Sequence, residues 1–168
     1  MNIKNIFLTA FTSSMMVIPV MAQRETRTIN DNWEFKLPTS QQWSSVNIPH
    51  TYNLDAYQGR NYYQGKAEYR RILTLPEVIP GRRYFLKIDA ASKAASVKVN
   101  GINVGTHAGG YTAFTIDITK CVKKENIIEI NVDNARKDIC PISADFTFWG
   151  GIYRDVWLIS TPDIHFNM

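Results

Sequence analysis

Apolar and polar side chains alternate with a period of two residues along much of this chain, and this period constrains the fold more than any other feature. The alternation is clear in residues 84–89, 97–99, 128–133 and 155–158. A period of two is typical of strands that bury one face, and the period of 3.6 expected of an amphipathic helix hardly occurs. The sequence therefore predicts an all-β fold.

Further strands are expected at residues 33–36, 43–48, 67–75, 102–106 and 113–117. Asn100-Gly101 lies between two apolar runs and predicts a tight hairpin turn, in which both central residues have positive φ. About nine strands without a long helix predict an antiparallel β-sandwich. Its four tryptophans are expected to be mostly buried, with Trp149 the most exposed; they are Trp33, Trp43, Trp149 and Trp157.

The first 22 residues have the features of a secretory signal. A single cation, Lys4, precedes an apolar stretch, and Val20-Met21-Ala22 places small residues at the −3 and −1 positions of a cut before Gln23. A spanning helix is the alternative, but the stretch is interrupted by polar residues and is shorter than the roughly 20 apolar residues needed. We expect cleavage, a mature chain 23–168 that is periplasmic or secreted, and no membrane association afterwards.

Charge and length exclude some functional classes. The net charge is +4, and removal of residues 1–22 with their single lysine lowers it to +3. The basic residues occur as separate pairs, which are typical of solvated edges, so nucleic acid is not expected as a partner. The remaining length predicts one domain.

Two cysteines, Cys121 and Cys140, would both be exported. A disulfide between them would close a loop of roughly 20 residues, worth about 3 kcal/mol in the chain-entropy model. Cys121 follows a strand end, where a small buried residue would serve equally well. The sequence leaves both readings open.

The segment from Asp145 to Val156 concentrates aromatic residues, a carboxylate and a glycine pair, Gly150-Gly151. Aromatic faces can cover the C–H face of a pyranose, a carboxylate accepts sugar hydroxyls, and glycines allow close backbone approach. This pattern favours a sugar-contacting corner. The alternative is an aromatic-rich corner of the sandwich core.

Other catalytic or metal-binding patterns are weak. His50, His107 and His165 lie too far apart in sequence for a local metal motif, and Pro49-His50-Thr51 predicts a turn whose imidazole bonds to backbone. No pair of catalytic carboxylates can be assigned from spacing. Neither a metal site nor a catalytic residue is therefore expected.

Several segments together resemble the N-terminal, sugar-binding, jelly-roll domain of glycoside hydrolase family 2, which comprises β-galactosidases, β-glucuronidases and β-mannosidases. These segments are Ile48-Pro49-His50-Thr51-Tyr52-Asn53, Tyr62-Tyr63-Gln64-Gly65, Tyr69-Arg70-Arg71, Val97-Lys98-Val99-Asn100-Gly101, Val104-Gly105-Thr106-His107-Ala108-Gly109-Gly110-Tyr111-Thr112-Ala113-Phe114, Asp117-Ile118-Thr119, Val132-Asp133-Asn134 and the Asp145 to Val156 stretch. Gln64 replaces the arginine often found there in the family. The residues at 66–68 replace the aromatic that usually precedes Tyr69.

The resemblance implies a module rather than a complete enzyme. Family members carry both catalytic glutamates in a (β/α)₈ barrel of about 250 residues, which follows this domain and an immunoglobulin-like domain. The chain is expected to end where the second domain would start, and to be inactive alone.

The resemblance also implies roles for individual residues. Asp145 matches an aspartate that contacts sugar hydroxyls and, in some β-galactosidases, a sodium ion, so sodium is expected in the complete enzyme only. Asn61 matches a substrate-contacting asparagine, and Trp149 completes the predicted sugar contacts. Gly150, Gly151 and Arg154 have structural roles in this reading, the arginine being able to pair with a carboxylate between strands.

The expected partners are a β-glycoside and the catalytic domains of the same enzyme. Two alternatives remain open at this point. One is a free-standing carbohydrate-binding module, and the other is a structural β-sandwich that packs on another chain.

Overall fold

The computed structural model describes residues 23–53, 62–139 and 148–165 of the chain. The strands in these ranges are β1 (Glu25–Thr28), β2 (Trp33–Lys36), β3 (Ser44–Val46), β4 (His50–Thr51), β5 (Lys66–Thr74), β6 (Arg82–Ile88), β7 (Ala94–Val99), β8 (Ile102–Ala108), β9 (Phe114–Asp117), β10 (Glu125–Asp133), β11 (Gly151–Ile152) and β12 (Val156–Pro162). No helix in the described ranges is long and apolar enough to span a membrane.

Two antiparallel sheets form a sandwich, as the alternation predicts. One has four strands in the order β1-β12-β6-β9, and the other has six in the order β3-β2-β5-β10-β7-β8. A third, two-stranded sheet pairs β11 with β4 at one corner. The predicted all-β antiparallel sandwich is confirmed.

The period of two explains the core. In β10, Ile128, Ile130 and Val132 are buried, while the residues between them are half-buried on the opposite face. Tyr69 lies opposite Ile130 on the neighbouring strand β5, and Ala67 lies opposite Val132, so both strands turn the same face inward. At about 25 cal/mol per Å² of apolar surface removed from water, such paired inward faces supply most of the stabilisation of the sandwich.

Trp33 is one of the largest side chains in this core. It is fully buried, and its indole N–H donates a 2.6 Å hydrogen bond to the Ile29 carbonyl, which satisfies its one polar atom. The other three tryptophans are half-buried. Of the four tryptophans, which were expected to be mostly buried, Trp33 is thus the one that is fully buried.

The predicted turn at Asn100-Gly101 joins β7 and β8. The φ angles are 53° at Asn100 and 79° at Gly101, as the tight hairpin requires. The Asn100 side chain fixes the turn further, since its amide donates to the Cys121 carbonyl at 2.8 Å and its oxygen accepts from the Ile127 N–H at 2.9 Å.

Three strands carry no readable alternation. All four residues of β1 are exposed, and β4 and β11 have two residues each. The prediction of a turn at Pro49-His50-Thr51 is wrong, because His50–Thr51 pairs as a strand with Gly151–Ile152 and the imidazole contacts a side chain rather than backbone.

Cys121 is buried, and its thiol donates a 3.2 Å hydrogen bond to the Ile118 carbonyl. Burial raises the pKa of this thiol. Cys140 lies outside the described residues, so the structure does not test a disulfide between the two.

Candidate functional site

The corner formed by the β4–β11 pair carries the aromatic and glycine-rich segment. Gly151 pairs with Thr51, and Ile152 pairs with His50. The Tyr52 N–H donates to the Gly150 carbonyl at 3.2 Å, which extends the pairing by one residue. The chain segment after β4 is thereby fixed against the segment that precedes β11. We call this region, residues 50–53 with residues 148–151, the corner.

Asn53 is the central side chain of the corner. It is 1% exposed, and its amide nitrogen donates to the Phe148 carbonyl at 2.8 Å. Its side-chain oxygen accepts from the Gly150 N–H at 2.9 Å and from the Thr51 hydroxyl at 2.9 Å. Because one buried side chain holds the residues on both sides of Trp149, the backbone position of Trp149 is fixed.

Tyr62 joins the corner from a different segment of the chain. Its hydroxyl donates a short hydrogen bond to the same Phe148 carbonyl that accepts from Asn53. The start of the segment 62–65 and the residue before Trp149 are therefore held together at one carbonyl oxygen.

A second buried asparagine, Asn134, lies beside Gly150. Its side-chain oxygen accepts from the Gly65 N–H at 2.8 Å, and the Tyr52 hydroxyl donates to the Gly65 carbonyl at 3.0 Å. The amide nitrogen of Asn134 has no hydrogen-bond partner among the described residues. Burial, the largest cause, raises the pKa of Tyr52 well above its usual value, so its hydroxyl stays neutral and able to donate.

Gly150 and Gly151 are required by close approach. A Cβ at Gly151 would lie 2.5 Å from the His50 carbonyl oxygen and 2.7 Å from the Tyr69 hydroxyl, and the φ of Gly151 is 119°. A Cβ at Gly150 would overlap the Tyr52 ring and the Asn134 amide. Their predicted structural role is consistent with this geometry, and it follows from packing within the corner.

A cluster of aromatic side chains packs against the corner. The Phe35 ring lies 4.8 Å from His50 and 5.2 Å from Tyr69, measured between ring centroids. The Nδ1 atom of His50 and the Tyr69 hydroxyl are 2.8 Å apart. Burial lowers the pKa of His50, which favours the neutral imidazole that can accept this hydroxyl proton.

Lys93 brings a positive charge to the base of the corner. The residue is 1% exposed, and its Nζ lies 4.5 Å from the centroid of the Phe148 ring. A desolvated cation over an aromatic face is attracted to the ring by about 2 kcal/mol. The cation therefore helps to hold Phe148, and through it the backbone before Trp149.

The predicted site residues divide into two groups. Trp149 is described and half-buried, between the two residues that Asn53 holds. Asp145 and Asn61 lie outside the described residues, and their roles stay predictions. Arg154 is exposed, and no carboxylate within the described ranges lies at ion-pair distance from it.

The sequence did not indicate Asn53, Asn134 or Lys93 as functional residues. Asn53 and Phe148 are 95 residues apart in the chain, so no local spacing connects them. Within the described ranges, no three His, Cys, Asp or Glu side chains are grouped so that they could hold a metal ion. What the corner offers is a half-buried indole on a fixed backbone.

Comparison with known proteins shows which family the chain matches. The sequence model described as "Glycosyl hydrolases family 2, sugar binding domain" matches residues 20–162. A beta-glucuronidase of Bacteroides fragilis is 37% identical over an alignment of 153 residues that covers 87% of this chain and 22% of that protein. A beta-galactosidase of Thermoanaerobacter pseudethanolicus is 34% identical over an alignment of 145 residues that covers 82% of this chain and 19% of that protein.

Comparison of the fold with solved structures gives a similar result. The crystal structure of a Bacteroides uniformis beta-glucuronidase matches with a TM-score of 0.81 and 48% identity, over 86% of this chain and 19% of that one. The chain thus spans about a fifth of the length of these relatives.

Proposed function

The chain belongs to the sugar-binding domain family of glycosyl hydrolases family 2, and on this premise we propose that it is the non-catalytic sugar-binding module of an exported β-glycosidase of the β-galactosidase and β-glucuronidase type. The catalytic pair belongs to a barrel outside this chain. A retaining glycosidase needs two carboxyl groups about 5 Å apart, one as nucleophile and one as acid and base. The module contributes one edge of the pocket that those groups face.

The observation that carries this proposal is the pair of hydrogen bonds by which the Asn53 side chain fixes the backbone of Phe148 and Gly150. A sugar contact is effective only if its backbone is fixed before the ligand arrives, because ordering it during binding costs free energy. Trp149 lies between the two held residues, with its ring half-buried at the corner. In our proposal this indole packs against the C–H face of a pyranose.

Asp145 and Asn61 are assigned as the polar contacts of the same sugar. Asp145 precedes Phe148 by three residues and Asn61 directly precedes Tyr62, and the Tyr62 hydroxyl bonds to the Phe148 carbonyl. This contact between their described neighbours supports assigning the two residues to the same sugar. A carboxylate at position 145 would accept two sugar hydroxyls, and in the complete enzyme it would also be available to a sodium ion.

The proposal includes export and two partners. The apolar stretch before Gln23 supports cleavage of residues 1–22 and a periplasmic or secreted location. The partners are a β-glycoside and the catalytic domains of the same enzyme. The even spread of basic residues supports the absence of nucleic acid among them.

The test uses the complete enzyme and chromogenic β-galactoside and β-glucuronide substrates. Asp145→Ala should lower kcat/KM on the order of 10- to 100-fold, because it removes charge-assisted hydrogen bonds. Trp149→Ala should lower it as well, while Ile72→Ala, an exposed substitution on another face, should leave it unchanged. Wild-type kcat/KM in both Asp145→Ala and Trp149→Ala, with both proteins folded, would contradict the proposal.

The coding sequence downstream of Met168 provides a second test. A continuation that encodes a (β/α)₈ barrel with two glutamates is expected. A stop codon followed by an unrelated gene would favour the free-standing carbohydrate-binding module or the structural β-sandwich instead.

A further inference from the structure

The outer face of the six-stranded sheet carries a row of polar side chains that the corner does not use. Glu68, Asn131, Ser96 and Thr106 lie side by side on the adjacent strands β5, β10, β7 and β8. At about 4.8 Å between neighbouring strands, the row extends about 14 Å across the sheet. It faces away from the sandwich core.

A groove of about 710 Å³ lies over this row. Ala94 and Ala108, which pair across β7 and β8, give it a floor of small side chains. Asp133 and Arg136 also line it. We call this cavity the outer groove. At Ala94 and Ala108 the methyl side chains allow a ligand to approach the sheet closely.

Three side chains in the row have hydrogen-bonding capacity to spare. The Asn131 amide and the hydroxyls of Ser96 and Thr106 have no hydrogen-bond partner within the described ranges. The next row differs, because there Arg70 of β5 bonds to Glu34 of the neighbouring strand β2 at 2.5 Å. The neutral polar groups are thus available in the outer groove, whereas Arg70 and Glu34 satisfy each other.

The outer groove begins at the corner. Lys66 directly follows Gly65, Asp133 directly precedes Asn134, and Ala94 directly follows Lys93, so the strand ends that line the groove continue into residues that hold the corner together. The groove and the corner therefore adjoin through the ends of β5, β7 and β10.

We propose that the outer groove binds sugar units of an oligosaccharide that extend beyond the unit held at the corner. The inference rests on the proposed function, which supplies the ligand class, and it narrows the substrate to a glycan of several units. An amide and two hydroxyls match the alternating donors and acceptors of sugar hydroxyls. Lys66 and Arg136 oppose Glu68 and Asp133 in sign, so the lining does not favour a polyanion.

The test is a titration of the full ¹⁵N-labelled chain with the neutral oligosaccharides cellohexaose and xylohexaose, monitored by NMR. We expect at least one probe to shift the Asn131 side-chain amide and the backbone amides of Ser96 and Thr106, with a millimolar dissociation constant. Asn131→Ala should weaken that binding about 3- to 10-fold, as expected for loss of one or two neutral hydrogen bonds. Ile72→Ala, on the same sheet face but outside the groove, is the control.

Ala94→Gln is the second variant, and it should abolish the shifts by filling the groove without changing the core. The amide spectrum of each variant reports whether it is folded.

The inference is overturned if no probe shifts the groove resonances, if the shifts occur only at Trp149 and Tyr52, or if they persist unchanged in both groove variants. Shifts confined to the corner would keep the proposed function and reject the outer groove. Groove shifts with unaffected hydrolysis in Asp145→Ala would reject the corner instead.

Discussion

The side-chain oxygen of Asn53 accepts the N–H of Gly150 at 2.9 Å, across 97 residues of sequence. The same side chain donates to the Phe148 carbonyl, so one buried amide adds to the backbone pairing of Tyr52 with Gly150 and carries the contact one residue beyond it. The corner therefore depends on a side chain as well as on the two-stranded sheet.

We predict that Asn53→Ala lowers the free energy of unfolding by about 2–4 kcal/mol, because buried partners lose their hydrogen bonds. Asn47→Ala is the matched control, since among the described residues its side chain accepts a single, exposed hydrogen bond, and the substitution should change stability by less than about 0.5 kcal/mol. Urea denaturation measures both variants. Equal midpoints for the two would contradict the role assigned to Asn53.

Gly151→Ala should be among the most destabilising single substitutions in the corner, at about 3–5 kcal/mol. The new methyl group would overlap the His50 carbonyl oxygen, and the backbone has a φ of 119°. Gly101→Ala separates these two causes, because its φ is 79° but no atom lies within 4 Å of the added Cβ. It should cost about 1–2 kcal/mol. Thermal unfolding of the two variants measures both losses of stability. If the two variants lose similar free energies of unfolding, close approach is not the main cause of the destabilisation at Gly151.

The central strands could be predicted from the sequence because each has one buried face. Ile128, Ile130 and Val132 show this in β10. The turn at Asn100-Gly101 could be predicted because asparagine and glycine are the residues that most readily adopt the positive φ angles observed there. The two-residue strands β4 and β11 are too short to show any period. They form because tertiary contacts bring them together, which no local pattern records.

The interior of the corner could not be predicted for a similar reason. A lysine is expected at the surface, since lysines are almost never fully buried. Lys93 is nevertheless buried, and its Nζ lies against the face of the Phe148 ring. The family resemblance indicated Trp149 and the glycine pair. It gave no reason to single out Asn53, whose partners are distant in sequence.

The stability of the fold should decrease as the pH falls below about 6.5, in part because of His50. Burial lowers the pKa of His50 in the folded state, so the unfolded chain binds its proton more readily and gains from acidification. This contribution is present above the unfolded-state pKa and is lost as the pH falls toward the folded one. An NMR titration of the His50 ring, with the chain in denaturant as reference, measures both values. A folded pKa equal to or above the reference would contradict the prediction.

Export should produce a mature chain that begins at Gln23. The small residues Val20 and Ala22 fit the cleavage site of a signal peptidase, and the single early cation Lys4 fits the start of a signal. Intact mass and N-terminal sequencing of the protein recovered from the periplasm or medium measure the cut. A recovered chain that still contains Lys4 would show that the segment is retained.

The chain alone should hydrolyse no glycoside and should bind free monosaccharides weakly. Sugar sites bury most of the ligand among several convergent polar groups, and hydrolysis with retention needs two carboxyl groups about 5 Å apart. In the proposed function the corner supplies one edge of such a pocket, with Trp149 fixed by Asn53, and the described corner residues include no acidic pair. The measurement is release of chromophore from β-galactoside and β-glucuronide substrates by residues 23–168, against a buffer blank. Activity above the blank that survives Asp145→Ala would mean that the chain carries catalytic groups elsewhere, because that variant removes the carboxylate that the proposal assigns to the sugar contact.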